Sequence, residues 1–286
     1  MRVVFQSVVA MMLLGLLAPA HAASGPGLVF AVHPYDTPSR LVSRFQPICD
    51  YLGAQLNRPV ELYITTSYED QVRKIAKDEV DIAYMGPSPY LRAHDRYAEG
   101  ERRVQLVAAE PPYQGAILVR RDSGIREIGD LAGKPFAFGA YQSFAGHYMP
   151  RAIMMKAEIT LADLKDYSFL GRHERVVLSV LHGDFDAGAT ARGIAEKYLD
   201  RDPGLRILAI TPPLPPLAIV ARPGLDADTV KALRQALVDP ELEGIEALRS
   251  LGEGVSFQVI EDREFDAARA VVELVERGCL PCSESP

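Results

Sequence analysis

The sequence predicts an α/β protein built as two lobes joined by a two-segment hinge, and three observations predict it. Short apolar, β-branched stretches alternate with segments of helical periodicity. That alternation runs through one stretch of the chain and then repeats over a second of similar length. Two proline-paired connectors, EPPYQGAILVRR (110–121) and ITPPLPPLAIVARP (210–223), lie between and after the two stretches, as stiff extended crossings would.

Taken in order, Leu41, Val42, Phe45, Ile48, Leu52 and Leu56 recur at helical spacing and predict a helix over 39–57. VELYIT (60–65) reads as a strand, 68–78 as a helix with Val72, Ile75 and Ala76 inward, and VDIAYMG (80–86) as a buried strand. The second stretch gives the strand KPFAFGA from Lys134, a helix over 144–157 and the strand YSFLG (167–171). A helix over 173–183 and the strand DAGATA (186–191) follow. KIAKDEVDIAYMG and SVLHGDFDAGATA share one plan: helix, polar turn, aspartate, then a small or apolar strand. Such successions favour parallel sheets with helices on their faces. The tail predicts helices over 226–238 and 241–251, a strand GVSFQVI (254–260) and a last helix over 262–277. The expected division is a signal peptide over 1–22, a first lobe over 23–113 completed by 214–286, and a second lobe over 114–213.

The compartment follows from the first residues. Arg2, the ten-residue apolar run VVAMMLLGLL and Ala20-His21-Ala22 have the form of a cleavable secretory leader. That run is too short to span a bilayer of ~30 Å as a helix. A protein exported into a bacterial periplasm is expected. The chain has 31 basic against 38 acidic residues, a net charge of −7, and loss of Arg2 makes it one more negative. With no basic cluster, nucleic acid and anionic membrane surfaces are poor partners, while a small anion needs only local donors. In an oxidising compartment Cys279 and Cys282 of CLPC are placed to pair with each other, or one of them with Cys49. Too few residues follow CLPC for a thioredoxin-like redox site.

GAYQSFAGHYMP (139–150) raises the question of chemistry. A strand ends there and a helix begins near Phe144, and a helix start offers unpaired N–H groups and partial positive charge to an anion. No hydrolase, zinc-protease or Walker motif occurs, and the six histidines include no pair at metal-ligand spacing. A binding protein without cofactor or metal is expected; an enzyme on the same scaffold is the weaker rival.

Several segments together resemble one family, the periplasmic substrate-binding proteins of phosphate/phosphite/phosphonate ABC transporters (PhnD-like). They are RFQPICDYLGAQL, the tyrosine of TTSYEDQ, VDIAYMGPSPY, PPYQGAILVRRDSGIREIGDLAGKPFAF, QSFAGHYMPRAI and FLGRHERVVLSVLHGDFDAGA. The resemblance implies the bilobed type II periplasmic-binding-protein fold and an anion held between the lobes. It implies as ligand groups the helix start Ser143, Phe144, Ala145 and Gly146, then His173, Tyr68 and Tyr113. Ser88, Tyr90 and His33 are candidates for the opposite wall, with Tyr35 beside His33. Each has a plainer role open to it. His173 is placed to cap a helix, Ser143 is a good N-cap, the tyrosines suit packing, and Gly86-Pro87-Ser88-Pro89-Tyr90 suits a rigid turn.

Two departures bear on the ligand. Phe144 and Ala145 stand where the family often has hydroxyl residues, which removes side-chain donors and leaves room for an apolar substituent against Phe144. Relatives that take amino-phosphonates use acidic side chains, whereas ATARG (189–193) and PPLPPLA (212–218) carry none. A small oxyanion without an amine is expected: phosphite, phosphate, a short alkylphosphonate or a related oxyanion. The closed protein, a monomer, would dock on an ABC permease, or alternatively on a membrane sensor kinase.

Overall fold

The structure, a computed structural model, describes residues 25–97 and 102–278; the leader and CLPC lie outside them. The first sheet is fed by β1 (Leu28–Val32), α1 (Pro38–Leu56), β2 (Val60–Ile64), α2 (Tyr68–Ala76), β3 (Ile82–Met85), α3 (Pro87–Leu91) and β4 (Gln105–Ala109). The chain then crosses to β5 (Gly115–Arg120), β6 (Pro135–Phe138), a π-helical turn (Phe144–Tyr148) continuing as α4 (Met149–Lys156), and β7 (Asp166–Phe169). There follow α5 (His173–His182), β8 (Ala187–Ala191), α6 (Arg192–Leu199) and β9 (Leu205–Ile210). It returns as β10 (Ala218–Ala221), α7 (Ala227–Val238), α8 (Leu242–Leu248) and α9 (Asp266–Arg277).

The strands form two five-stranded sheets, ordered β2-β1-β3-β10-β4 and β7-β6-β8-β5-β9. In each, three strands are parallel, and the next is antiparallel to both of its neighbours. That antiparallel strand is the one arriving from the other lobe: β10 in the first sheet and β5 in the second. The parallel strands that the sequence favours are present in both sheets, each of which the crossing strand makes mixed, and the proline connectors prove to contain sheet strands. Between the lobes the two crossings pair with each other: Tyr113 N–H donates to Leu214 O at 3.3 Å, and Leu214 N–H to Tyr113 O at 2.7 Å.

Local chemistry explains the element ends. Pro38 opens α1 without losing a bonded N–H, and Asn57 closes it in the left-handed region at φ 49°. Ser67 caps α2 by accepting from Asp70 N–H, with Glu69 and Asp70 at its positive end and Arg73 and Lys74 at its negative end. Gly86-Pro87-Ser88-Pro89-Tyr90 is not a free turn but opens α3, since prolines in a first helical turn remove only donors that lack partners anyway. GVSFQVI is not a strand either. Only Gln258 pairs, exchanging both bonds with Ala109, because Gly252 and Gly254 at positive φ bend the chain off the edge of β4.

One apolar cluster packs α1, α7 and α8 on the first sheet around Phe30, Phe45, Ile48 and Leu237. On the sheet's other face Val72, Ile75, Tyr90 and Phe265 form a cluster that also takes in Phe144, Ala145, Tyr148 and Ala152 of the second lobe. α9 touches both α3 and α4, and its Glu276 accepts from Arg92 and from Tyr148 at 3.2 Å each. The cysteines of CLPC lie outside the described residues; Cys49 is buried and free. Its surroundings are apolar, and burial pushes its pKa up to about 12.

Arg151 is 2 % exposed in α4, and neither its Nε nor its Nη1 has a hydrogen-bond partner. Burial lowers its pKa, as expected of a cation without a counter-charge. Unsatisfied buried donors cost about 1–3 kcal/mol. Arg151→Met is therefore expected to raise the melting temperature by a few degrees, read by circular dichroism; an unchanged or lower value would contradict it.

Candidate functional site

The carboxyl ends of the parallel strands in both sheets meet across one gap, where ligands of open α/β sheets bind. His33 follows β1, Tyr68 opens α2 after β2, and Ser88 follows β3. From the other side come residues 139–146 after β6, His173 after β7 and Ala191 at the end of β8. The lobes touch directly. Ser88 Oγ donates to Gln142 O at 2.6 Å, Gln142 Nε2 donates to Glu69, and Arg40 pairs with Glu174 at 2.8 Å.

Ser143 caps the helix start that follows β6. Its Oγ accepts Gly146 N–H at 3.0 Å, and its hydroxyl lies beside the Tyr68 phenol, where it works against the raising effect of burial. Gly146 N–H is therefore engaged, which leaves the N–H groups of Phe144 and Ala145 as the free donors of this helix start. Gly146 is glycine for a packing reason: a Cβ there would lie 3.0 Å from Gly139 Cα and 3.0 Å from Ser143 Oγ. The side chains of Phe144 and Ala145 join the apolar cluster shared with the first lobe. The ring of Phe144 is buried there, which corrects the expectation of an apolar substituent resting on it.

His173 accepts Ala191 N–H at Nδ1, 3.3 Å away, so in the neutral ring Nε2 carries the proton. Burial holds its pKa at about 4. His33 packs tilted against Tyr68 with ring centroids 4.0 Å apart, and lies 5.3 Å from the ring of Tyr35. Burial lowers His33 to about 4 as well. Desolvation raises the phenols of Tyr68 and Tyr113, and Tyr35 to about 12, so all three are neutral donors. Neighbouring charges add to this: Tyr113 and Tyr35 act on Tyr68, and His173 acts on His33.

Two candidates lie differently. Tyr90 is fully buried against Phe265 at 4.5 Å, with its hydroxyl donating to Asp262 Oδ1 at 2.6 Å, so it belongs to the α3–α9 packing and not to the gap. Ser88 serves the contact between the lobes. Sequence reasoning missed Gln71, buried under His33, and Glu110, whose Oε1 accepts from Tyr84 O–H at 2.6 Å. Gln71 was findable, since it sits one helical turn from Tyr68 on the inward face of α2. Among the described residues no group of three or more side chains suits a metal ion, and no helix is long and apolar enough to cross a membrane.

Burial raises Glu110 from its ordinary 4.5 to about 7, against the lowering effects of Tyr84 and Arg44. The folded protein thus binds more protons than the unfolded chain between these values, and stability falls as pH rises through that window. Glu110→Gln is expected to remove a loss on the order of 2 kcal/mol between pH 4.5 and 7, measured by urea unfolding at stepped pH. A variant whose stability tracks the parent at every pH would refute this.

Comparison with known proteins agrees with this architecture. Residues 30–265 match the family described as "ABC transporter, phosphonate, periplasmic substrate-binding protein". The phosphate-import protein PhnD of Mycolicibacterium smegmatis is 26 % identical over 183 residues, 60 % of this chain and 57 % of that relative's length. Prochlorococcus marinus PhnD1, solved with methylphosphonate, superposes with TM-score 0.81 at 19 % identity, covering 88 % of this chain and 98 % of its own. A binding component of a phosphonate ABC transporter from Pseudomonas aeruginosa gives 0.76 at 22 %, covering 88 % and 87 %. Those likenesses establish the type II bilobed fold. With the family match running from β1 to the residue before α9, this chain belongs to the phosphonate-type periplasmic substrate-binding proteins of ABC transporters.

Proposed function

We propose that the chain captures a small phosphorus oxyanion without an amine between its lobes and presents the closed form, as a monomer, to an ABC permease. Phosphite, phosphate and short alkylphosphonates fit this class. The leader ending at Ala22 is the route to the periplasm, and the lobes that close are residues 23–113 with 214–286, and 114–213.

The observation that carries the reading is a set of neutral donors around one gap. They are the N–H groups of Phe144 and Ala145, Ser143 Oγ, His173 Nε2 and the phenols of Tyr68 and Tyr113. The nearby guanidinium of Arg40 is paired with Glu174, and that of Arg44 donates to Tyr35. Dipoles at a helix start and hydroxyl donors bind an oxyanion strongly where water is excluded. One observation favours a second reading, an amino-phosphonate: Glu110 acts on Tyr113 from the hinge side and would face an ammonium tail. Its carboxyl is held by Tyr84 and offset by Arg44, which argues for the first reading.

A thermal-shift panel of phosphate, phosphite, methylphosphonate, sulfate and 2-aminoethylphosphonate separates these. A ligand at 100 times its dissociation constant adds about 2.7 kcal/mol, and a phosphorus oxyanion lacking the amine is expected to give the largest shift. The largest shift with 2-aminoethylphosphonate would select the second reading, and no shift with any of them would defeat both. Tyr68→Phe and Tyr113→Phe each delete one O–H to the anion and should weaken binding about tenfold, read by calorimetry; unchanged affinity would remove that tyrosine from the site.

A further inference from the structure

The two histidines of the gap are fixed in opposite tautomers, and this follows from their partners. Gln71 donates through its amide nitrogen to Ala31 O and to Tyr84 O, both at 3.0 Å. Two carbonyl acceptors permit only nitrogen there, so the oxygen of that amide faces His33 Nδ1, 3.0 Å away. His33 therefore carries its proton on Nδ1, and in the neutral ring Nε2 on the opposite edge is an acceptor. His173 lies near enough to act on His33's charge, and its own proton is on Nε2.

We propose that His33 is a specificity-determining acceptor that requires a hydrogen on the ligand, so that the cleft takes singly protonated phosphorus oxyanions and rejects oxyanions with none, such as sulfonates and sulfate. This rests on the oxyanion reading of the cleft. The other groups aimed at the ligand all donate, and donors cannot tell a phosphonate monoanion from a sulfonate of equal charge and similar shape. A buried imidazole lone pair can. Against a P–OH it gains a hydrogen bond, and against a bare oxygen it faces another lone pair with water excluded. Sites that pair a ligand's hydrogen penalise the analogue that lacks it, because their own polar group is left unsatisfied.

His33 remains neutral over the working range, because burial holds it at about 4. The groups facing it are Gln71 and Tyr68 of α2, the backbone of Tyr84 in β3, Tyr35 from its own loop and His173 of α5, with Asp36 acting on Tyr35 and His173, and Glu110 and Arg44 beyond Tyr35. The phenols are raised by burial and His173 is near 4. Glu110, at about 7, is the member of this group that changes charge near neutrality, so it must be controlled.

Calorimetry on the mature protein with methylphosphonate and methanesulfonate from pH 5.5 to 8.5 tests the proposal. Methanesulfonate should bind on the order of 100-fold more weakly. Methylphosphonate affinity should fall about tenfold per pH unit above that ligand's second ionisation, and the slope should persist in Glu110→Gln. His33→Gln, which can turn an N–H toward the ligand, should shrink the discrimination to within about tenfold and flatten the slope. The proposal is overturned if the parent protein binds methanesulfonate as tightly as methylphosphonate, or if methylphosphonate affinity rises through its ionisation. Neither result needs the variant to fold. Binding of neither ligand at any pH overturns the oxyanion reading, and the proposal with it.

Discussion

Each sheet is completed by a strand that the other half of the chain delivers. β10 lies between β3 and β4, and β5 lies between β8 and β9, each antiparallel to its neighbours. The crossings are therefore anchored at both ends in hydrogen-bonded ladders, and only the few residues between them are left to bend. The Tyr113–Leu214 pair ties those residues side by side, so that a swing of the halves would turn about one axis instead of two independent tethers. The groups at the strand ends face each other because that axis brings the two sets of carboxyl ends together.

The chemistry of the gap depends on burial without charge. A full cation would hold any anion of suitable size, whereas hydroxyls, peptide N–H groups and neutral imidazoles hold one by geometry. Burial keeps His33 and His173 uncharged, and the hydrogen bond each ring makes at Nδ1 decides what its other nitrogen presents. Gln71, held by the carbonyls of Ala31 and Tyr84, thereby sets the tautomer that His33 adopts on one wall of the gap.

Much of the fold was legible because it is periodic. α1, α2 and α5 follow their apolar spacing to within a residue or two, and β2, β3, β6 and β8 fall inside the stretches rich in β-branched or small residues. β5 and β10 were hidden inside connectors because paired prolines precede them and their ladder partners are far away in sequence. The helix start at Ser143 was legible as a strand end, a capping residue and a glycine, but its meaning changed. Gly146 makes room for Gly139, and Phe144 packs into the first lobe. Tyr90 and Glu110 show the limit: whether a phenol is core or wall, and whether a connector's carboxyl is buried, is decided by neighbours that no local pattern names.

α9 sits astride the division, with Glu276 receiving one hydrogen bond from Arg92 on the first lobe and another from Tyr148 on the second. Any swing of one half relative to the other must stretch or remake one of those bonds. An optical label attached to the outer face of α9 would therefore report opening and shutting of the molecule from outside the gap, and would work as a sensor whatever solute fills it.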